Sequence, residues 1–254
     1  LMGQRVIKYV QFIDGDCTLH SGWVETAVRA LEESGERAAV VGQLLEANED
    51  ASVYNRLCAM EWRSASQDQD HYKHLYGISM IRAEIFRQLG GFKPEVIAAE
   101  DTELGVRMVL AGYRITKIDR TMATHDANIA SFGQWWRRAV RAGHAIGQRS
   151  DIHGASTLRD GVRERNSTIF WGIAFPLTVL LLAFPSEGSS LILLAAYPVL
   201  AIRVWRYRVN LGDRSGDALL YAIFILIGKF ANAIGLLKFL LNKSRGRYEI
   251  IEYK

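Results

Sequence analysis

The chain has 254 residues, 49% of them apolar, and 31 Lys and Arg against 27 Asp and Glu, for a net charge of +4. That length holds one sizeable core or two smaller units, and so slight a charge excess does not define a partner. Two cysteines, Cys17 and Cys58, exclude a disulfide framework and show no metal-type spacing, so a reducing compartment is the simpler reading; the N-terminus lacks the order of a signal peptide.

In chain order, residues 1–150 alternate apolar runs of strand length with amphipathic stretches, the pattern of an α/β domain. Residues 6–13 suit a buried strand that ends in Asp14, Gly15 and Asp16. Ser21 can cap a helix in which Val24, Ala27, Val28 and Leu31 recur at helical spacing, with Gly35 placed to close it. AAVVGQLL, residues 38–45, reads as the next strand, and the polar segment 48–74 as a helix followed by a loop. IRAEIFRQLGGF, residues 81–92, predicts a helix closed by Gly90 and Gly91 with Phe92 packing back. AEDTELGVRMVLAGY, residues 99–113, predicts another, closed by Gly112, and RITKI after it a strand. The arginine-rich stretch near 159–165 reads as a linker to the apolar last third of the chain.

From residue 169 the apolar content rises sharply. IFWGIAFPLTVLLLAF and LILLAAYPVLAI flank a short polar break, and a third run lies at 219–241. The first two predict a transmembrane hairpin, about 168–184 and 190–204, within a membrane domain spanning 166–243. Arg159, Arg163 and Arg165 precede the hairpin and Arg203, Arg206 and Arg208 follow it, while its connection carries no basic residue. Positive charge favours the cytoplasmic side, which puts both outer ends and the N-terminal domain there, at a cell (inner) membrane. The third run, about 218–241, is flanked by basic residues on both sides and interrupted by Lys229 and Lys238, which reads as a re-entrant, tilted or interfacial helix. Core helices of a soluble protein are the bland alternative; three together with arginine-rich borders favour lipid.

The chemistry sits in the carboxylates. A strand ending at Asp14, with a tight bend at Gly15, holds Asp14 and Asp16 at the carboxyl edge of a sheet, where α/β folds place their ligands. Two hard oxygen donors suit a divalent cation, Mg2+ in particular, completed by substrate phosphates; an ordinary Asp-Gly surface turn is the alternative. His125, before Asp126, is a further metal ligand or a plain loop residue. Glu100, Asp101 and Glu103 at a helix start offset the helix dipole, and one of them can act as general base on a hydroxyl. Gln134, Trp135, Trp136, Arg137 and Arg138 fit an amphipathic helix at a membrane surface.

YVQFIDGD, YGISMIRAEIFRQLGGF, AAEDTELGVRMVLAGYRI and QWWRRAVRAGHA, in that order, resemble the landmarks of family 2 glycosyltransferases with the GT-A fold, over residues 5–147. The resemblance implies an α/β catalytic domain, here a partial GT-A domain followed by C-terminal transmembrane helices. It implies inverting transfer of a sugar from a nucleotide-diphosphate donor to a hydroxyl acceptor, with a divalent cation, Mg2+ or Mn2+. Asp14 and Asp16 match the Asp-x-Asp motif, Asp16 as metal ligand and Asp14 nearer the donor. Asp101 matches the base and Glu100 its neighbour. Gln134, Arg137 and Arg138 resemble the Gln-x-x-Arg-Trp element that contacts acceptor and diphosphate, although here tryptophan precedes the arginines. The family places a nucleotide-binding strand and loop upstream of the Asp-x-Asp strand; this sequence starts a few residues before it, so the resemblance implies an N-terminally truncated member. Anchoring points to membrane lipids as surroundings and to a lipid-linked acceptor, in surface polysaccharide or glycolipid synthesis. Basic residues cluster around apolar runs rather than on a separate face, which argues against nucleic acid. The reading from another class is a non-catalytic, membrane-anchored remnant or partner subunit that keeps the acceptor half of the fold.

Overall fold

The computed structural model describes residues 7–63 and 69–246. Val6 of the expected first strand, residues 64–68 of the expected loop and Arg247 of the last basic flank lie outside the described residues. The chain divides into two compact units, Leu1–Asn128 and Ile129–Lys254.

The first unit is a six-stranded mixed sheet with helices. Its strands are β1 (Tyr9–Phe12), β2 (Cys17–Leu19), β3 (Arg37–Glu46), β4 (Gln69–Tyr72), β5 (Ser79–Arg82) and β6 (Arg114–His125), in the order β1-β5-β3-β6-β2, with β4 also on β6. Its helices are α1 (Trp23–Glu32), α2 (Val53–Trp62), α3 (Ala83–Gln88) and α4 (Glu100–Leu110). β1 and β3 are each antiparallel to β5, and β3 is parallel to β6, so β1, β3 and β6 run in one direction and end at one edge. Along its length β6 pairs with β3; its other side is shared by β4 near Ile115 and Lys117 and by β2 near Ala123 to His125. Leu31, Val40, Val41, Ile81, Leu104, Met108, Ile115 and Met122 form the buried core.

Several expectations change in the fold. β1 is a half-buried edge strand rather than a buried one, with Ile13 45% exposed just beyond it. Ser21 does not cap α1; Gly22 does so with φ 77°, a left-handed conformation that glycine adopts without a side-chain clash. The expected helix over 81–92 starts only at Ala83, because Met80 and Ile81 are drawn into the core as β5. β2 and β4 are too short or too polar to carry an alternating pattern and exist because β6 offers them backbone partners. The ends of α3 and α4 are as read, with Gly90, Gly91 and Gly112 at positive φ and Phe92 packed on Phe86 at 5.4 Å between ring centroids, whereas α1 ends at Glu32 with Glu33 as its cap rather than being closed by Gly35.

Two arginines hold these closures. Arg107 grips Glu103 through Nε at 2.8 Å and donates to the Leu89 and Gly91 carbonyls at 2.6 Å each, which satisfies the turn after α3. Arg82 donates to the carbonyls of Leu31, Ser34 and Arg37, capping the end of α1.

The second unit is helical: α5 (Phe132–His153), α6 (Val162–Ile169), α7 (Phe175–Ala183), α8 (Ala196–Asn210) and α9 (Ser215–Arg245). Residues 159–165 do not form a linker. Asp160 is buried and bidentate to Arg149 of α5 at 2.7 and 3.0 Å, and Gly161 lies against the Ser150 backbone. α5 and α9 meet through small residues: a Cβ on Gly143 would strike the Asn232 backbone, and one on Gly235 would strike the Val140 backbone. Between α6 and α7 the helix passes through a π turn, Phe170–Ala174, where the Phe175 N–H bonds Phe170 rather than Trp171. Pro176 has no N–H to offer, and the Tyr197 hydroxyl donates to the Trp171 carbonyl at 2.6 Å instead.

Three helices are long and apolar enough to cross a membrane: Val162–Ala183, Ser189–Asn210 and Ser215–Arg245. Leu180, Leu181, Phe184 and Ile192 are more than 60% exposed, a surface suited to hydrocarbon rather than water. α9 is one unbroken helix of 31 residues, so its path is not a broken, re-entrant one. At about 1.5 Å per residue it exceeds the roughly 30 Å of a hydrocarbon core. Lys229, which interrupts its apolar run, donates to Ser167 Oγ at 3.0 Å.

Candidate active site

The edge where β1, β3 and β6 end carries Asp14, Asp16 and His125. Phe12 pairs with Ser79 in the antiparallel β1–β5 ladder, and continuing that register two residues brings Asp14 opposite Gly77. A side chain at Gly77 would overlap the Asp14 carboxylate as it stands and displace it. The Asp14 carbonyl then accepts the Cys17 N–H at 3.1 Å, closing the turn that carries Asp16 into β2.

Cys17 stands directly opposite His125 across the β2–β6 ladder, and the Asp16 carbonyl accepts the Asp126 N–H at 2.9 Å. Residues opposed in this way share a face. His125 Nε2 lies 3.3 Å from Asp16 Oδ1, and Cys17 Sγ lies 3.8 Å from the same oxygen. The imidazole also packs edge-on against Trp62 at the end of α2, with centroids 4.4 Å apart. One donor atom from each of Asp16, Cys17 and His125 falls within 4.8 Å of the others, a set that fits a divalent cation. Asp14 stands outside that donor group.

α4 brings the second acidic cluster. Gly105, one turn after Asp101, is packed against the backbone of Lys73 and Leu75, so the chain running from there through Tyr76 to Gly77 passes the start of α4 and reaches Asp14. Asp101 accepts the Thr102 N–H at 2.7 Å. Its carboxyl is pushed up to about 7, chiefly by burial and further by the negative charges of Glu100 and Asp14, against the pull of that hydrogen bond. Glu103 plays no part in this cluster: it is buried between Arg107 and Lys93, at 2.7 and 3.2 Å.

Sequence reasoning missed the aromatic wall beside Asp101. The Tyr72 and Tyr76 hydroxyls are hydrogen-bonded at 2.5 Å, and the Lys117 ammonium sits 5.6 and 5.8 Å from the two ring centroids. Burial raises the Tyr76 hydroxyl and lowers the Lys117 amine. Lys117 is 1% exposed, and its Nζ has no hydrogen-bond partner among the described residues. No sequence signal marked these residues, since their meeting depends on how β4 and the segment after it lie on β6.

Gln134, Arg137 and Arg138 belong to the second unit, on the first turns of α5. Gln134 is the reciprocal partner of Ser131 in a capping box, its Oε1 accepting the Ser131 and Ala130 N–H groups at 3.1 and 2.9 Å. Arg137 is exposed, and Trp135 is buried edge-on against Phe224 at 4.7 Å.

No protein-family profile matches the chain, and no curated protein matches it. Among solved structures it resembles the mannosyltransferase PcManGT from Pyrobaculum calidifontis, in complex with GDP-Man and Mn2+, with a TM-score of 0.54 and 19% identity. The match covers 93% of this chain and 63% of that one, so the chain spans less than two thirds of the length of PcManGT. At this identity the likeness is one of fold: a mixed α/β fold similar to a glycosyltransferase, with three C-terminal helices apolar enough to be membrane spans.

Proposed function

We propose that the chain is a membrane-bound, inverting glycosyltransferase of the family 2 kind, moving a sugar from a nucleotide-diphosphate donor to a hydroxyl acceptor. The observation that carries this reading is Asp101: a carboxyl raised to about 7, at a helix start, electrostatically coupled to Asp14 of the Asp-x-Asp turn. A general base works best with a pKa near the operating pH, where it is both available and able to take a proton. Asp101 accepts the proton of the attacking hydroxyl, and Glu100 helps keep its basicity high. Asp14 orients the donor sugar, and Asp16 with His125 would hold the cation. A bound divalent cation supplies positive charge to the diphosphate as the glycosidic bond breaks. The likeness to a protein bound to GDP-Man and Mn2+ supports a nucleotide-sugar donor and a divalent ion.

Gln134, Arg137 and Arg138 contact acceptor or diphosphate in this reading, with Gln134 also capping α5. The three apolar helices support an acceptor that resides in the bilayer, and the arginine borders support a cytoplasmic catalytic unit at the inner membrane, in polysaccharide or glycolipid synthesis. The test is transfer from radiolabelled GDP-mannose and other nucleotide sugars to membrane lipid extracts, with Mn2+ or Mg2+. The expected result is donor-dependent product that chelation removes and that Asp101→Asn lowers by about 10²–10⁴-fold. Binding of nucleotide and metal without turnover on any acceptor would favour the non-catalytic partner instead.

A further inference from the structure

We infer that Asp16, Cys17 and His125 form a mixed oxygen, sulfur and nitrogen site that takes a borderline or soft divalent cation, such as Zn2+, Co2+ or Cd2+, in preference to Mg2+, with the Cys17 thiolate as a ligand. The inference rests on the reading of this sheet edge as the cation site, and it adds a ligand that the spacing of the two cysteines in the sequence did not announce. The ladder supplies the reason. Cys17 and His125 are a directly opposed pair on β2 and β6, so thiol and imidazole leave the sheet side by side, and Asp16, one residue earlier, reaches across both.

The distances suit a small ion. Metal–sulfur bonds of about 2.3 Å and metal–nitrogen or –oxygen bonds of about 2.0–2.1 Å at tetrahedral angles put neighbouring donors roughly 3.3–3.6 Å apart. Here Asp16 Oδ1 is 3.3 Å from His125 Nε2 and 3.8 Å from Cys17 Sγ, and all three donor atoms fall within 4.8 Å. Three protein ligands leave a fourth position for a substrate oxygen, the arrangement of a metal that works rather than one that only braces a fold. Mg2+ demands an octahedron of oxygens and gains little from a thiolate, whereas thiolate and imidazole favour the later first-row ions and Zn2+. The Trp62 ring packed on His125 restricts the imidazole and shields one side of the site.

A thiolate ligand has its own signature. The purified full chain in detergent is titrated with Co2+ or Cd2+ alone while near-ultraviolet absorption is followed. A sulfur-to-metal charge-transfer band is expected, saturating at one ion per chain. It should persist in Cys58→Ala, vanish in Cys17→Ser, and require at least tenfold more metal in His125→Gln. Mg2+ in hundredfold excess should not displace the ion. Cys58 is the other cysteine of the chain and is buried, and neither is in a disulfide, so the band has one clear source. Absence of the band, its survival in Cys17→Ser, or ready displacement by Mg2+ overturns the inference whatever sugar transfer shows. Conversely, a normal band in a protein without any transfer supports the site and counts against the transferase reading alone.

Discussion

The buried carboxylates of the helical unit are handled in one way and those of the sheet unit in two. In the helical unit Asp160 faces Arg149, and Asp213 lies 2.5 Å from Arg208, whose guanidinium also covers Tyr221 at 4.5 Å. Glu103 of the sheet unit is treated likewise, between Arg107 and Lys93. Asp101, two residues before Glu103 on the same helix, is instead brought within electrostatic reach of Glu100 and Asp14. An arginine partner keeps a buried carboxylate ionised and locks its geometry; at Asp101 burial, with carboxylate neighbours adding to it, raises the free energy of the ionised form and leaves a group that exchanges its proton near neutrality. Among these buried acids the sign of the neighbouring charge therefore separates those held ionised from the one raised toward neutrality.

Replacing Asp101 breaks this contrast most severely, since Asp101→Asn removes the proposed base and, with it, the two to four orders of magnitude expected from the transfer assay. Almost as large is the loss of a scaffold pair. Asp160→Ala leaves Arg149 charged and buried, and should lower unfolding stability by about 3–5 kcal/mol, measured by thermal denaturation in detergent. The double change Arg149→Met with Asp160→Leu should recover most of it, because an apolar pair carries no desolvation cost.

The pH dependence of Asp101 sharpens the comparison next. Its carboxyl is raised from an ordinary 3.8 to about 7 in the folded chain, so the folded state binds a proton that the unfolded state releases. Stability from this group is present below pH 4 and declines as pH rises towards 7. Asp101→Asn should therefore melt higher than the parent at pH 8, by up to about 4 kcal/mol at roughly 1.4 kcal/mol for each pH unit between those two values, and show little difference at pH 4. A Glu103→Gln variant should move the other way, since it breaks a satisfied pair. The smallest effect is expected at Lys117, a buried base set against the Tyr72 and Tyr76 rings, whose amine is lowered by burial although Asp119 partly offsets this. Lys117→Met should stabilise the sheet unit by about 1–3 kcal/mol, read from the same melting curves, because it removes a desolvated amine and keeps its packing.

Much of the scaffold was legible because it depends on short windows. The run at residues 38–45 became the core of β3, and the acidic helix start with its Gly112 closure became α4. The apolar stretches after residue 169 became helices long enough to span a bilayer. Misreadings fell where the sheet overrode local pattern: Ile81 and Arg82 left a helical sequence for β5, and β2 and β4 formed only on the open side of β6. The reading of 159–165 as a linker failed for a related reason, since Asp160 finds Arg149 on a helix already complete.

The site divides along the same line. By itself the amino-acid sequence marked the candidate residues of the proposed chemistry, namely Asp14, Asp16, Asp101 and His125, with two of the acids beside a glycine turn and a third opening a helix. Tertiary structure alone decided which of them meet. The register of β1 on β5 sets Asp14 against Gly77, the pairing of β2 with β6 sets Cys17 beside His125, and the packing of Gly105 on the Lys73–Leu75 backbone draws the start of α4 toward Asp14. Strand pairing joins residues far apart in the chain through backbone hydrogen bonds that are the same for every side chain, so no local pattern in the sequence announces them.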